Sequence, residues 1–176
     1  MFTKAPGQQL EKKSLNANQL IAMIDYPPLH SPEAFASYRE KFKAGESVEP
    51  LIAVPAKIVI EYLKQNQVRY AAYKVILARF LEDHPAAAFF MTGGKHRSAA
   101  ATILGLKIPC LIIENDNGVA KVHSLMKQGK ITGVPGVGDN FADTIQELED
   151  HYFEHKRFWT MEEKTRLMIE NGDISK

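Results

Sequence analysis

The sequence has little of several features that mark specialised classes of protein. Its 176 residues contain one cysteine, Cys110, so no disulfide can form within the chain, and we expect a reducing compartment, the cytoplasm. No apolar run approaches the ~20 residues of a membrane-spanning helix, and the polar residues 1–13 lack the apolar core of a secretion signal. The formal net charge is +1, so no overall charge draws the chain to nucleic acid, and we expect no membrane partner.

The composition is that of a globular protein with a sizeable core. Apolar residues make up 45% of the chain and charged residues 24%, which is close to the average for such proteins. The length suits one domain with an appendage. We expect a polar lead-in over residues 1–13, a core over residues 14–116 and a helical C-terminal appendage over residues 117–176.

The most informative stretch is residues 89–101, which read Phe-Phe-Met-Thr-Gly-Gly-Lys-His-Arg-Ser-Ala-Ala-Ala. The pattern predicts a buried strand that breaks at two glycines and turns into an Ala-rich helix. Glycine lets a backbone approach a ligand closely, and a helix start offers N–H groups and a partial positive charge. We therefore predict a phosphate site whose candidate ligands are Gly93, Gly94, Lys95, His96, Arg97 and Ser98. Many α/β proteins have such a turn with nothing bound, so this alternative stays open.

Local signals place the other elements. Ser31, Pro32 and Glu33 form a typical helix start, and residues 48–54 read as a strand. The pattern predicts helix over residues 56–83 with a break near Asn66, a turn over 114–118, a short helix over 119–127 and a connector over 129–138. An amphipathic helix marked by Phe141 and Tyr152 follows, and then a last helix, which a capping box at residues 160–163 opens. We expect no metal site.

The order of strand, Gly-Gly-Lys-His-Arg turn, Ala-rich helix, glycine and Ile-Pro strand resembles the ParB/sulfiredoxin superfamily. The signature of that superfamily is a G-x-H-R or G-E-R-R turn that grips nucleotide phosphates. Residues 31–45 followed by 48–54 resemble its helix and strand, so the resemblance covers about residues 15–113. It implies an α/β (α+β) fold, a small mixed sheet with flanking helices. The helical segment 56–84 would then be an insertion.

The resemblance also implies roles for individual residues. Gly94, His96 and Arg97 would hold phosphate oxygens of ATP, ADP or CTP with Mg²⁺, and Ser98 would add its hydroxyl or its backbone N–H. The free-serine kinases of this superfamily use an acidic base, which implies that Asp25 or Glu33 polarises a substrate hydroxyl or holds Mg²⁺. The alternatives, a turn aspartate and a first-turn helix acid, stay open for these two residues.

The sequence departs from the superfamily pattern at two places. Lys95 occupies the position of the sulfiredoxin catalytic cysteine, so sulfiredoxin activity is excluded. Residues 141–176 are few for the helix-turn-helix region of partition proteins. Three functions stay open: a nucleotide-binding protein that transfers or hydrolyses phosphoryl groups, a DNA-associated ParB-like partition or nuclease protein, and a noncatalytic ligand-binding module. The expected partner is a nucleotide or another phosphate ligand, with DNA less favoured, and the inserted helices leave a homodimer open.

Overall fold

The computed structural model describes residues 9–22, 31–65, 71–132, 136–155 and 157–176. The elements in these ranges are β1 (Glu11–Leu15), a 3₁₀ turn (Ala17–Gln19), β2 (Leu20–Ile21), α1 (Pro32–Lys43), β3 (Leu51–Pro55), α2 (Ala56–Gln65), α3 (Ala71–Asp83), β4 (Phe89–Met91), α4 (Lys95–Ile103), β5 (Ile108–Ile112), α5 (Asp116–Lys127), α6 (Phe141–His155) and α7 (Met161–Glu170). No helix within the described ranges is both long and apolar enough to cross a bilayer.

The five strands form one mixed sheet in the order β1-β5-β3-β4-β2. The β5–β3 and β4–β2 pairs are parallel, whereas β1–β5 and β3–β4 are antiparallel. The predicted small mixed sheet with flanking helices is therefore confirmed. Because β4 runs against β3, the carboxyl end of β4 lies beside the start of β3, at the opposite end of the sheet from the carboxyl ends of β3 and β5.

The two faces of the sheet bury separate clusters of apolar side chains. Along β3, Ile52 and Val54 join the cluster that includes residues of α2, α3, α5 and α6, whereas Leu51 and Ala53 join the cluster with α1, α4 and α7. This alternation follows from the two-residue period of a strand. It gives a three-layer arrangement in which α4, the helix that follows the glycine turn, is packed between the sheet, α1 and α7.

Three sequence predictions differ from the structure. The polar lead-in predicted for residues 1–13 ends in β1, whose Glu11 pairs with Ile112 at the edge of the sheet. The turn predicted over residues 114–118 is wrong for its last three residues, because the Asn115 side chain accepts the Gly118 N–H at 3.1 Å and starts α5 at Asp116. Within the predicted appendage, α7 places Met161 and its neighbours in the same buried cluster as α4.

Candidate functional site

The glycine turn has the geometry of a strand-to-helix elbow, here defined as residues 92–97. The Thr92 N–H donates to the Ile52 carbonyl at 3.1 Å and fixes the turn on β3. Gly94 is the N-cap of α4 and has a left-handed backbone, with φ 81° and ψ 32°. A Cβ on Gly94 would overlap Leu51 Cδ2 and stand 2.8 Å from Arg97 Nε. The elbow therefore needs glycine both for its backbone angles and for its close packing.

Arg97 lies in the first turn of α4 and is buried, with 7% of its surface exposed. Its Nη1 donates to the Glu49 carbonyl at 3.2 Å and to Glu49 Oε2 at 3.3 Å. Its Nε is buried and has no acceptor in the described part of the chain. Because Nε and Nη2 are both close to the position of a Cβ on Gly94, the guanidinium places one edge at the elbow and its Nη1 at Glu49.

Glu49 links the elbow to the segment after α5. Its Oε2 accepts the Thr132 N–H at 3.2 Å and the Thr132 hydroxyl at 2.9 Å. Burial raises the pKa of Glu49, but the Thr132 hydrogen bonds and the Arg97 charge together lower it below its ordinary value. At neutral pH this carboxylate is therefore ionised and balances the Arg97 charge. Sequence reasoning missed Glu49 and Thr132, since no motif marks either residue.

His96 joins the N-termini of two helices. Its Nε2 accepts the Ser31 N–H at 3.3 Å, so a neutral ring carries its proton on Nδ1. The Ser31 hydroxyl accepts the Ala34 N–H at 3.1 Å and donates to Glu33 Oε2 at 3.2 Å. The structure therefore brings Glu33 to the elbow through Ser31. Asp25 lies outside the described residues.

The other predicted ligands, Ser98, Gly93 and Lys95, differ in how deeply they are buried. Ser98 is fully buried, and its hydroxyl lies 3.0 Å from the Gly94 carbonyl and 3.3 Å from Met161 Sδ. Its N–H donates to the same Gly94 carbonyl at 3.0 Å, so both polar groups of Ser98 are engaged within the protein. Gly93 and Lys95 are half-buried at the start of α4.

The comparisons with known proteins add no family to this description. The chain matches no protein-family model, and no curated protein or solved structure matches it. Among the described residues, no group of three or more His, Cys, Asp or Glu side chains is arranged to hold a metal ion.

Proposed function

We propose that the elbow binds a phosphate group of a nucleotide, with ATP, ADP and CTP as the candidate ligands. The proposal depends above all on the buried guanidinium of Arg97, which packs against a left-handed Gly94 at a helix N-terminus. Its Nε has no acceptor among the residues that the structure describes. A buried donor without a partner costs about 1–3 kcal/mol. A bound oxyanion that reached Nε would supply the acceptor.

The geometry of Arg97 supports a bidentate contact. Glu49 uses Nη1, whereas Nε and Nη2 form the other donor edge of the guanidinium, on the side of Gly94. Such an edge matches two oxygens of a phosphate. The guanidinium would then bridge the Glu49 carboxylate and the ligand, and the first turn of α4 would add its partial positive charge.

We extend the proposal to phosphoryl transfer or hydrolysis because Ser31 connects the Glu33 carboxylate to His96 of the elbow. Its hydrogen bond to Ser31, which in turn donates to His96, sets one carboxylate beside the elbow. Glu33 would accept a proton from an attacking hydroxyl or water, and Arg97 would stabilise charge on the phosphoryl oxygens. Bound Mg²⁺ would neutralise phosphate charge, and Glu33 would be one of its protein ligands. As part of the same proposal, the mixed sheet and its helices form a ParB/sulfiredoxin-like fold.

The binding test is a thermal-shift and calorimetry panel of ATP, ADP, CTP, GTP and inorganic phosphate, each with and without Mg²⁺. A ligand of the folded state raises the melting temperature, and Arg97→Gln should abolish the rise. Arg79→Gln, an exposed change on α3, is the matched control and should keep it. Circular dichroism confirms that both variants fold.

Two other results would redirect the function. If duplex DNA alone gives a salt-dependent rise in melting temperature and no nucleotide does, the protein is DNA-associated and the nucleotide proposal is wrong.

If a nucleotide does bind, phosphate release assays separate nucleotide binding from turnover. We expect Glu33→Gln to retain nucleotide binding and lose product formation. A wild-type chain that binds nucleotide without turnover would be a noncatalytic module.

A further inference from the structure

A cavity of about 350 Å³ lies at the end of the sheet opposite the elbow. It is placed at the carboxyl ends of the parallel strands β3 and β5, where open α/β sheets commonly bind ligands. Its lining is mostly apolar and includes Ile60, Leu81 and Phe89, which are only partly buried by the rest of the protein. The cavity is at the small end of the range for ligand pockets, about 300–1,000 Å³.

Two charged side chains of opposite sign, Lys57 and Glu114, line this cavity. Ala53 pairs with Ile112 in the parallel register, so Glu114 lies level with the end of β3. β3 passes directly into α2, which puts Lys57 in the first helical turn, next to the same edge. Neither the Lys57 side chain nor the Glu114 side chain forms an ion pair or a hydrogen bond with the described part of the chain.

The remaining charges of the lining are already matched to each other. Lys13 Nζ lies 3.3 Å from Glu11 Oε1 and 5.5 Å from the centre of the Phe89 ring. This pair closes the β1 side of the cavity. Among the described residues of the lining, the charges left unpaired are thus one cation, Lys57, and one anion, Glu114.

We infer that this cavity binds a free amino acid with an apolar side chain. The ligand carboxylate would pair with Lys57 and the first turn of α2, while its ammonium group would pair with Glu114. The apolar side chain would cover Ile60, Leu81 and Phe89. A simple carboxylate would face the Glu114 charge without compensation, and a simple amine would face Lys57, so the zwitterion is the class that satisfies both.

The test is calorimetry on the full chain with L-leucine and L-phenylalanine. The matched probes are 4-methylpentanoate, which lacks the ammonium group of leucine, and 3-methylbutylamine, which lacks its carboxylate. We expect saturable binding of the amino acids only. Lys57→Gln and Glu114→Gln should each weaken binding at least about tenfold. Lys107→Gln and Glu147→Gln, exposed residues outside the lining, make the same charge changes and should leave binding unchanged.

Methyl NMR locates the ligand. Shift changes at Ile60 and Leu81 support the site, whereas saturable binding without them places the ligand elsewhere and overturns the inference. It is also overturned if no probe binds at millimolar concentration, or if 4-methylpentanoate binds as well as leucine and Glu114→Gln has no effect. Arg97→Gln, which tests the elbow, should retain amino-acid binding, so the two proposals can fail separately.

Discussion

Replacing Gly94 by alanine tests the geometry of the elbow directly. Gly94 has a φ of +81°, in the left-handed region that residues with a Cβ rarely adopt. The added methyl would also overlap Leu51 Cδ2 and stand 2.8 Å from Arg97 Nε. Since Leu51 and Arg97 are both buried, neither can move away without disturbing its neighbours. The substitution should therefore destabilise the fold through two separate effects.

The magnitude follows from those two effects. A left-handed residue with a Cβ costs about 1–2 kcal/mol, and forcing an extra methyl into a packed core costs about 1–3 kcal/mol. Together they predict a loss of about 2–5 kcal/mol in the free energy of unfolding. Gly105 isolates the first effect, because its φ is +66° and nothing lies within 4 Å of a Cβ there. Gly105→Ala should therefore cost only about 1–2 kcal/mol.

Urea denaturation followed by circular dichroism gives both values on the same scale. Gly45→Ala is a second control, since Gly45 has a φ of +69° and open space around it. The reasoning is refuted if Gly94→Ala loses no more stability than the two controls, because the elbow would then not be closely packed. It is also refuted if all three variants are as stable as the original chain, because none of these backbones would then need glycine.

Three shorter predictions follow. Glu49→Gln removes the charge that balances a buried guanidinium. Breaking a fully buried ion pair costs about 3–5 kcal/mol. Because the Glu49 side chain is 32% exposed, we expect the free energy of unfolding to fall by only about 1–2 kcal/mol in urea denaturation. An unchanged free energy of unfolding would contradict this. His84 Nε2 lies 2.8 Å from Glu163 Oε1. Burial lowers the pKa of His84, but the hydrogen bond to Glu163 and smaller contributions together outweigh it and the pKa is raised overall. Burial raises the pKa of Glu163, but its hydrogen bonds and the His84 charge together outweigh that effect and the pKa is lowered overall. The His84 contribution is complete below about pH 6.5 and is lost as pH rises through its raised pKa, while the Glu163 contribution is complete above about pH 4.3 and is lost as pH falls through its lowered pKa. His84→Gln should thus lose most stability between these limits, and a loss independent of pH would argue against the pair. Burial raises the pKa of Cys110 to about 12, despite the nearby Arg97 charge, so the native chain at about pH 8 should react far more slowly with a thiol reagent than the unfolded chain, and equal rates would show the thiol to be exposed.

The elements that the sequence predicts well are those with local signals. The Ser31 cap holds the Ala34 N–H as its residue type predicts, and the capping box closes between Thr160 and Glu163. The Ile-Pro strand of the sequence pattern is β5, in which Cys110 is buried. Asn115 is the exception: its turn-forming sequence also suits a helix N-cap, and the packing of Val119 and Val122 in the core decided in favour of the helix.

The partners of Arg97 could not be predicted in the same way. Glu49 precedes Arg97 by 48 residues, and Thr132 follows Glu49 by 83 residues. No periodicity or spacing connects such distant positions. Glu49 and Arg97 meet because β3 and β4 are antiparallel neighbours, which sets the start of β3 beside the elbow. Pairing across a sheet is a property of the topology, and a single sequence does not specify it.

Glu49 also decides between two roles for Arg97. If the guanidinium is only an internal counterion, Glu49→Gln lowers stability and phosphate ligands bind neither form of the chain. If the elbow binds phosphate, Glu49 repels the ligand and draws on the same guanidinium charge. The variant should then bind nucleotide several-fold more tightly than the original chain, although it is less stable, and calorimetry at matched salt measures this. A weaker affinity would mean that Glu49 orients Arg97 for the ligand.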